Sequence, residues 1–244
     1  MKQYNILDYG AIADGVTNNA AAIQQAIDEA SAEGGRVVIP QGKYLSGTLV
    51  LKSNIDFHLE KGAVLISSLN QEDIMDFAKL FEDDNACTGW DGGCFLFACH
   101  EENITISGEG VIYGQGDKVF IDDDVDGGAH ECPLSVTAFR PRTTFLEDVT
   151  NLTVRDITIQ DAAFWTLHMA GCHHVRVQDI KILNDARGAN NDGIDPDCCK
   201  DVLITGCLVK TGDDAIVIKT TKPMTQRYGA SENIVISNCI LYSH

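Results

Sequence analysis

The feature that most constrains this chain is an internal repeat. Segments beginning at Asn151, His174, Asp201 and Asn233 share one apolar pattern, and their starts lie 23, 27 and 32 residues apart. Second positions are Leu152, Val175, Val202 and Ile234; fourth positions are Val154, Val177, Ile204 and Ile236. Seventh positions are Ile157, Ile180, Cys207 and Cys239, and ninth positions are Ile159, Ile182, Val209 and Leu241. A segment from Asn103 to Val111 resembles these more loosely. A unit of about 23 residues with only short β-branched runs cannot bury its own apolar face, whereas stacked copies can. Leucine-rich repeats share the period, but their Leu and Asn signature is missing. The pattern therefore predicts an all-β fold: a parallel β-helix of one coil per unit, like positions stacking about 4.8 Å apart.

The first 45 residues read as a cap to this solenoid. Ala20, Ala21, Ile23, Ala26, Ile27 and Ala30 fall at helical spacing after a polar Thr17-Asn18-Asn19 lead-in. Gly34-Gly35 should end that helix, and Arg36 to Pro40 reads as a strand closed by a turn. Residues 46–244 then form the coils of a single β-helix domain. Two stretches interrupt the period, an insertion at residues 66–100 and a loop from Thr220 to Ala230.

Net charge is −18, which excludes nucleic acid as a partner because phosphate binding requires clustered Lys and Arg. No run approaches the roughly 20 apolar residues that cross a bilayer, so no membrane partner is expected. The opening Met1-Lys2-Gln3-Tyr4-Asn5 has no apolar signal region, which predicts a cytoplasmic protein, the alternative being a secreted or periplasmic form with its signal removed. Nine cysteines without CxxC spacing read as buried, reduced thiols, and Cys207 over Cys239 as a stack of small side chains.

Register also aligns the residues preceding each repeat. Trp165 lies nine residues before His174, and Asp192 nine before Asp201. Discounting the 220–230 loop, Asp214 joins Asp192 in one column, with Trp165-Thr166-Leu167-His168 one coil below. Asp192, Asp213 and Asp214 thus share a face, where like charges must raise at least one pKa. Such separation suits acid/base cleavage of a glycosidic bond. The same residues could equally be turn chemistry between strands, or hold calcium.

Asn190-Asn191-Asp192-Gly193-Ile194-Asp195 resembles the Asn-Thr-Asp-Gly segment of polygalacturonase-type glycoside hydrolases, family 28, with Asn191 in place of Thr. Thr211-Gly212-Asp213-Asp214-Ala215-Ile216 is similar to that family's Gly-Asp-Asp-Cys segment, with Ala215 in place of Cys. Asp8 to Gly15, Leu59 to Leu65, Gly108 to Gly116, Arg140-Pro141-Arg142 and Phe164 to His168 match in order. The resemblance implies a right-handed β-helix that hydrolyses galacturonan or a related pectic chain with inversion and without a cofactor. It implies Asp213 as general acid and Asp192 with Asp214 as the pair activating water. Inversion normally sets acid and base carboxyls roughly 6.5–9.5 Å apart, and strand alternation is expected to point Asp213 away from the other two. Trp165 and His168 are candidate sugar contacts, Lys219 a candidate cation for an acidic sugar, and Asn190 a further substrate-binding candidate. The partner implied is an acidic plant polysaccharide or oligosaccharide.

The family's later Gly-His-Gly and Arg-Ile-Lys motifs do not follow; the chain stops at Ser243-His244. The expectation is a C-terminally incomplete piece of a longer enzyme, the alternative a natural truncation without activity. Rival readings are a calcium-dependent β-helix lyase and a non-catalytic carbohydrate-binding solenoid. Asp122-Asp123-Asp124-Val125-Asp126 lacks a full calcium-loop pattern and reads as a mobile acidic loop. His173-His174 and Cys198-Cys199 lack metal-ligand spacing and are given structural roles.

Overall fold

The computed structural model describes residues 1–75, 93–121, 133–136 and 139–244. Two long parallel sheets wind along it as a right-handed β-helix, one of 11 strands and one of eight. A two-stranded antiparallel ribbon, Phe120–Ile121 with Ser135–Val136, stands apart from them.

The repeat predicted from sequence is the register of the coils. Val154 pairs with Val177, Val177 with Ile204, and Ile204 with Ile236. On the second sheet Ile159 pairs with Ile182, Ile182 with Val209, and Val209 with Leu241. The looser segment belongs to the same stack, because Ile104 pairs with Leu152. The first residue of each unit has a structural reason to be Asn, Asp or His. Asn103, Asn151, His174, Asp201 and Asn233 all hold left-handed φ between 54° and 59°, where the coil turns. Short polar side chains tolerate that conformation far better than β-branched ones. They also pair with one another: Asn103 Nδ2 donates to Asn54 Oδ1, and Asn151 Nδ2 to Asn103 Oδ1, both at 2.9 Å.

Inside the coils, Ile, Val, Leu and Phe side chains stack into one continuous core. Each fully buried aliphatic side chain contributes about 1.5–3 kcal/mol, which no unit could collect alone. Cys207 lies in register beneath Cys239, and Cys172 beneath Cys199. Cys172, Cys199 and Cys207 point their Sγ atoms at strand carbonyls (Leu146, Met169 and Val177) instead of forming disulfides. Burial pushes the Cys207 thiol up to about 11.

The cap helix, α1, runs Ala20–Glu33 and buries Ile23, Ala26, Ile27 and Ala30. Ala21, placed on the apolar stripe by the sequence, is exposed, and Ala22 packs on the core instead. The 220–230 stretch, expected as a loop, contains a second helix, α2, over Lys222–Tyr228, started by Pro223 in its first turn. The 66–100 insertion begins inside strand Ala63–Ser67 and ends inside strand Cys94–Gly108. The acidic run 122–126 lies outside the described residues.

Candidate active site

The site forms on a third face of the coil, where short strands Leu167–Ala170 and Ile194–Asp197 lie in parallel register. Leu167 pairs with Ile194, and Ile194 bridges to Ile216. Counting back two residues puts Trp165, Asp192 and Asp214 in one column, as the sequence alignment anticipates. Backbone bonds fix the column: Thr166 N–H to Asp192 O at 3.0 Å, and Gly193 N–H to Asp214 O at 2.8 Å. Gly193 is required by closeness rather than by φ. A Cβ there would stand 2.3 Å from the Ala215 carbonyl oxygen.

Asp192, Asp213 and Asp214 each offer an oxygen within 4.8 Å of the others. Asp213 therefore does not point away as strand alternation would require. The reason is local: residues 212–213 form a bend, not a strand, so the two-residue period lapses there. Asn190 Nδ2 reaches Asp213 Oδ2 at 3.4 Å, and the Asp214 N–H donates to Asp213 Oδ1 at 2.9 Å. Asp214 is exposed and Asp213 half-buried, while Asp192 is 3% exposed.

Lys219 is neither a solvated surface lysine nor open toward solvent. Its Nζ donates to Asp192 Oδ2 at 2.8 Å, lies 3.6 Å from Asp195 Oδ1, and sits 4.3 Å from the centre of the Trp165 ring. Burial raises the Asp192 pKa; Lys219 opposes that rise and the Asp213 charge adds to it. Desolvation is thus the largest influence, Lys219 the next, and repulsion from Asp213 smaller than either. Asp195 is fully buried, and among the described residues neither of its oxygens has a hydrogen-bond donor. Burial, then the Asp192 charge, push its pKa well up. Lys219 is held above its ordinary value: desolvation lowers it, but Asp195 and Asp192 outweigh that. The three-aspartate spacing could also suit a divalent cation, yet Lys219 already engages Asp192 Oδ2, and Asp192 is shielded from solvent.

Trp165 is half-buried, stacked on Phe164 with ring centres 5.5 Å apart. The Arg142 guanidinium lies 4.9 Å from its ring centre. His168, expected as a sugar contact, is placed instead beneath the surface at 1% exposure, edge-on to Trp165 with centroids 4.8 Å apart. Its Nε2 faces Asp197 Oδ2 at 3.4 Å. Desolvation, opposed by Asp197, pushes His168 down to about 4, which keeps it neutral. Asp197 stays low despite its burial, because His168 and Thr221 donate to it.

Two arginines escaped the sequence assignment although their motif was visible. Arg140 Nη1 donates to Ala189 O at 2.5 Å and Nη2 to Asn190 Oδ1 at 3.1 Å, which sets the left-handed turn at Asn190 (φ 53°). Arg140 thereby connects through Asn190 to Asp213. Asp195 and Asp197 were also missed; their i, i+2 spacing, which puts both on one face of strand Ile194–Asp197, was the available signal.

Comparison with known proteins identifies the family of the chain. An exo-poly-α-D-galacturonosidase of Dickeya chrysanthemi is 27% identical over 260 residues, covering 88% of this chain and 41% of that protein. A rhamnogalacturonase A of Aspergillus niger is 29% identical over 197 residues, covering 80% and 36%. The chain therefore spans less than half the length of these curated relatives. The structure of a family 28 exopolygalacturonase from Yersinia enterocolitica superposes with TM-score 0.80 at 25% identity, covering 98% of this chain and 48% of that one. PfbA, a surface adhesin of Streptococcus pneumoniae, shares the fold alone, with TM-score 0.66 at 23% identity and coverage of 98% and 57%. The family model described as glycosyl hydrolases family 28 matches residues 34–243, and to that family this chain belongs.

Proposed function

We propose that this chain carries the catalytic face of a glycosidase that hydrolyses galacturonan or a related pectic chain with inversion. The observation that carries this reading is the convergence of Asp192, Asp213 and Asp214 at one site, buried at Asp192 and exposed at Asp214. These oxygens lie within 4.8 Å of one another, closer than the roughly 6.5–9.5 Å usual between acid and base in inverting enzymes, so inversion is carried over from family 28 and not from the spacing. Asp213, half-buried and reachable, protonates the glycosidic oxygen as the anomeric C–O bond breaks. Asp192 and Asp214 hold a water on the opposite side of the sugar and take its proton as its oxygen bonds the anomeric carbon. The products are two shorter chains, one with a new reducing end, and no cofactor enters the balance. Asn190 touches Asp213, Trp165 touches the lysine that bonds Asp192, and His168 lies edge-on to Trp165. The names of the galacturonosidase and rhamnogalacturonase relatives supply the substrate class.

Reducing-end release from polygalacturonate and rhamnogalacturonan, with ultraviolet detection of unsaturated ends, tests the proposal. Hydrolysis gives release without unsaturation, insensitive to chelator and lost in Asp213→Asn. Unsaturated ends lost on chelation would make it a lyase. Binding without turnover, unchanged in Asp213→Asn, would make it a carbohydrate-binding solenoid.

A further inference from the structure

We propose that Lys219 is a positioning residue that holds Asp192 as an ionised base from inside the coil, and is not a cation for the substrate's own carboxylate. This rests on the hydrolase reading for the word base, but its geometry stands independently of turnover.

One hydrogen bond, one ion-pair contact and one ring contact surround the ammonium. They are Asp192 Oδ2 at 2.8 Å, Asp195 Oδ1 at 3.6 Å and the Trp165 ring at 4.3 Å. The side chain is 15% exposed, so little of it is left for an incoming ligand. Its backbone is pinned as well: the Lys219 N–H donates to Pro196 O at 2.9 Å, and its carbonyl accepts from Cys198 N–H at 3.1 Å and Ser231 Oγ at 3.0 Å. Asp192 Oδ1 has no hydrogen-bond partner among the described residues, so the lysine bond alone orients the carboxylate. Among those residues, Oδ1 is the carboxylate oxygen left without a donor. The other titratable and charged groups nearby, among the described residues, are three carboxylates, His168, Arg142 and Arg140, whose Nη2 donates to Asn190 Oδ1. Asp213 and Asp214 stand on the open side of Asp192, Asp195 lies below, His168 is neutral, and the Arg142 guanidinium is 4.9 Å from the centre of the indole ring. Without Lys219, a buried Asp192 beside two carboxylates would take up a proton.

The test follows the Asp192 carboxyl carbon by pH titration, using nuclear magnetic resonance of protein labelled at aspartate and Asp192→Asn for assignment. In Lys219→Met the midpoint should rise by about one to three pH units, and Lys219→Arg should return at least half of that shift. A purely structural lysine would not move the midpoint in a folded variant. Should Lys219→Met not fold, Lys219→Met with Asp195→Asn removes a carboxylate together with the cation, and its midpoint is compared with Asp195→Asn alone. An unchanged midpoint in either folded variant overturns the proposal. In the kinetic arm, Lys219→Met should lower kcat, raise the acid limb of the pH profile and leave KM within about twofold. A KM raised more than about tenfold with kcat kept would assign Lys219 to the substrate and also overturn the proposal. The titration needs no turnover, so absence of hydrolysis in wild type would count against the hydrolase reading alone.

Discussion

Asn191 joins the two aspartate-bearing segments directly: its Oδ1 accepts from the Gly212 N–H at 2.7 Å, while its Nδ2 donates to the Asp185 carbonyl at 2.8 Å. The side chain is fully buried between them. This explains why an amide can stand where the family pattern has Thr, since a hydroxyl cannot span both groups. Asn191→Ala strands a buried N–H and a buried carbonyl and opens a small cavity, costing about 2–4 kcal/mol. The thermal unfolding midpoint should fall by roughly 5–15 °C, read by circular dichroism. Because Gly212 precedes Asp213, turnover should fall with it. An unchanged midpoint would show that water replaces the amide.

The helix α2 is docked by one tyrosine. Tyr228 Oη donates to Glu147 Oε1 at 2.7 Å, Arg227 Nη1 reaches the same oxygen at 3.0 Å, and Glu147 is 1% exposed. The ring lies flat on Gly171, where φ is +62° and a Cβ would meet the Tyr228 ring at 2.4 Å. Gly171→Ala is therefore strained in backbone and contact together, and should release α2. Tyr228→Phe removes only a bond to a buried carboxylate, about 1.5–3 kcal/mol. Hydrogen exchange should quicken over residues 220–230 in both, more in Gly171→Ala, while the strand carrying Val202 and Ile204 keeps its protection. Equal loss along the whole solenoid would show that α2 is part of the cooperative core.

These two cases show where sequence reading succeeds and stops. The coils were legible because stacking makes like positions meet, so Val154, Val177, Ile204 and Ile236 carry their own register. The column of Asp192 and Asp214 followed from the same arithmetic. What failed was anything set by layers remote in sequence. Glu147 lies 80 residues before Arg227, and nothing in the 220–230 segment advertises that partner. The Asp213 direction failed because a bend interrupts the strand, and His168 because its burial depends on Trp165 and Phe145 closing over it.

Buried His168 makes stability depend on pH in a defined window. Its pKa is about 4 in the folded chain against an ordinary value of 6.5, so the unfolded chain binds more protons between those values. Stability is then fully present above about 6.5 and is lost as pH falls toward 4, by up to about 3 kcal/mol. At 3.4 Å the contact with Asp197 is too long for a charge-assisted pair to offset desolvation. His168→Gln should flatten the denaturation midpoint between about pH 6.5 and 4. The same slope in the variant would assign it to other groups, Asp197 first, whose depressed pKa acts in the same direction but at lower pH.

Asp195 acts in the opposite sense. Burial raises its pKa well above the ordinary carboxylate value, so folding favours its protonated form. Folding then takes up a proton between about pH 4 and the folded pKa, and the cost grows with pH across that window. Asp195→Asn keeps the shape and the neutral state without that cost. Its melting temperature should exceed that of wild type at about pH 7, with the gain vanishing near about pH 4. Lys219 lies 3.6 Å away, and if its charge held Asp195 ionised the same substitution would break an ion pair. The variant would then be destabilised at neutral pH and recover toward wild type in acid, so the sign of the difference at neutral pH decides between an uncharged and a charged Asp195.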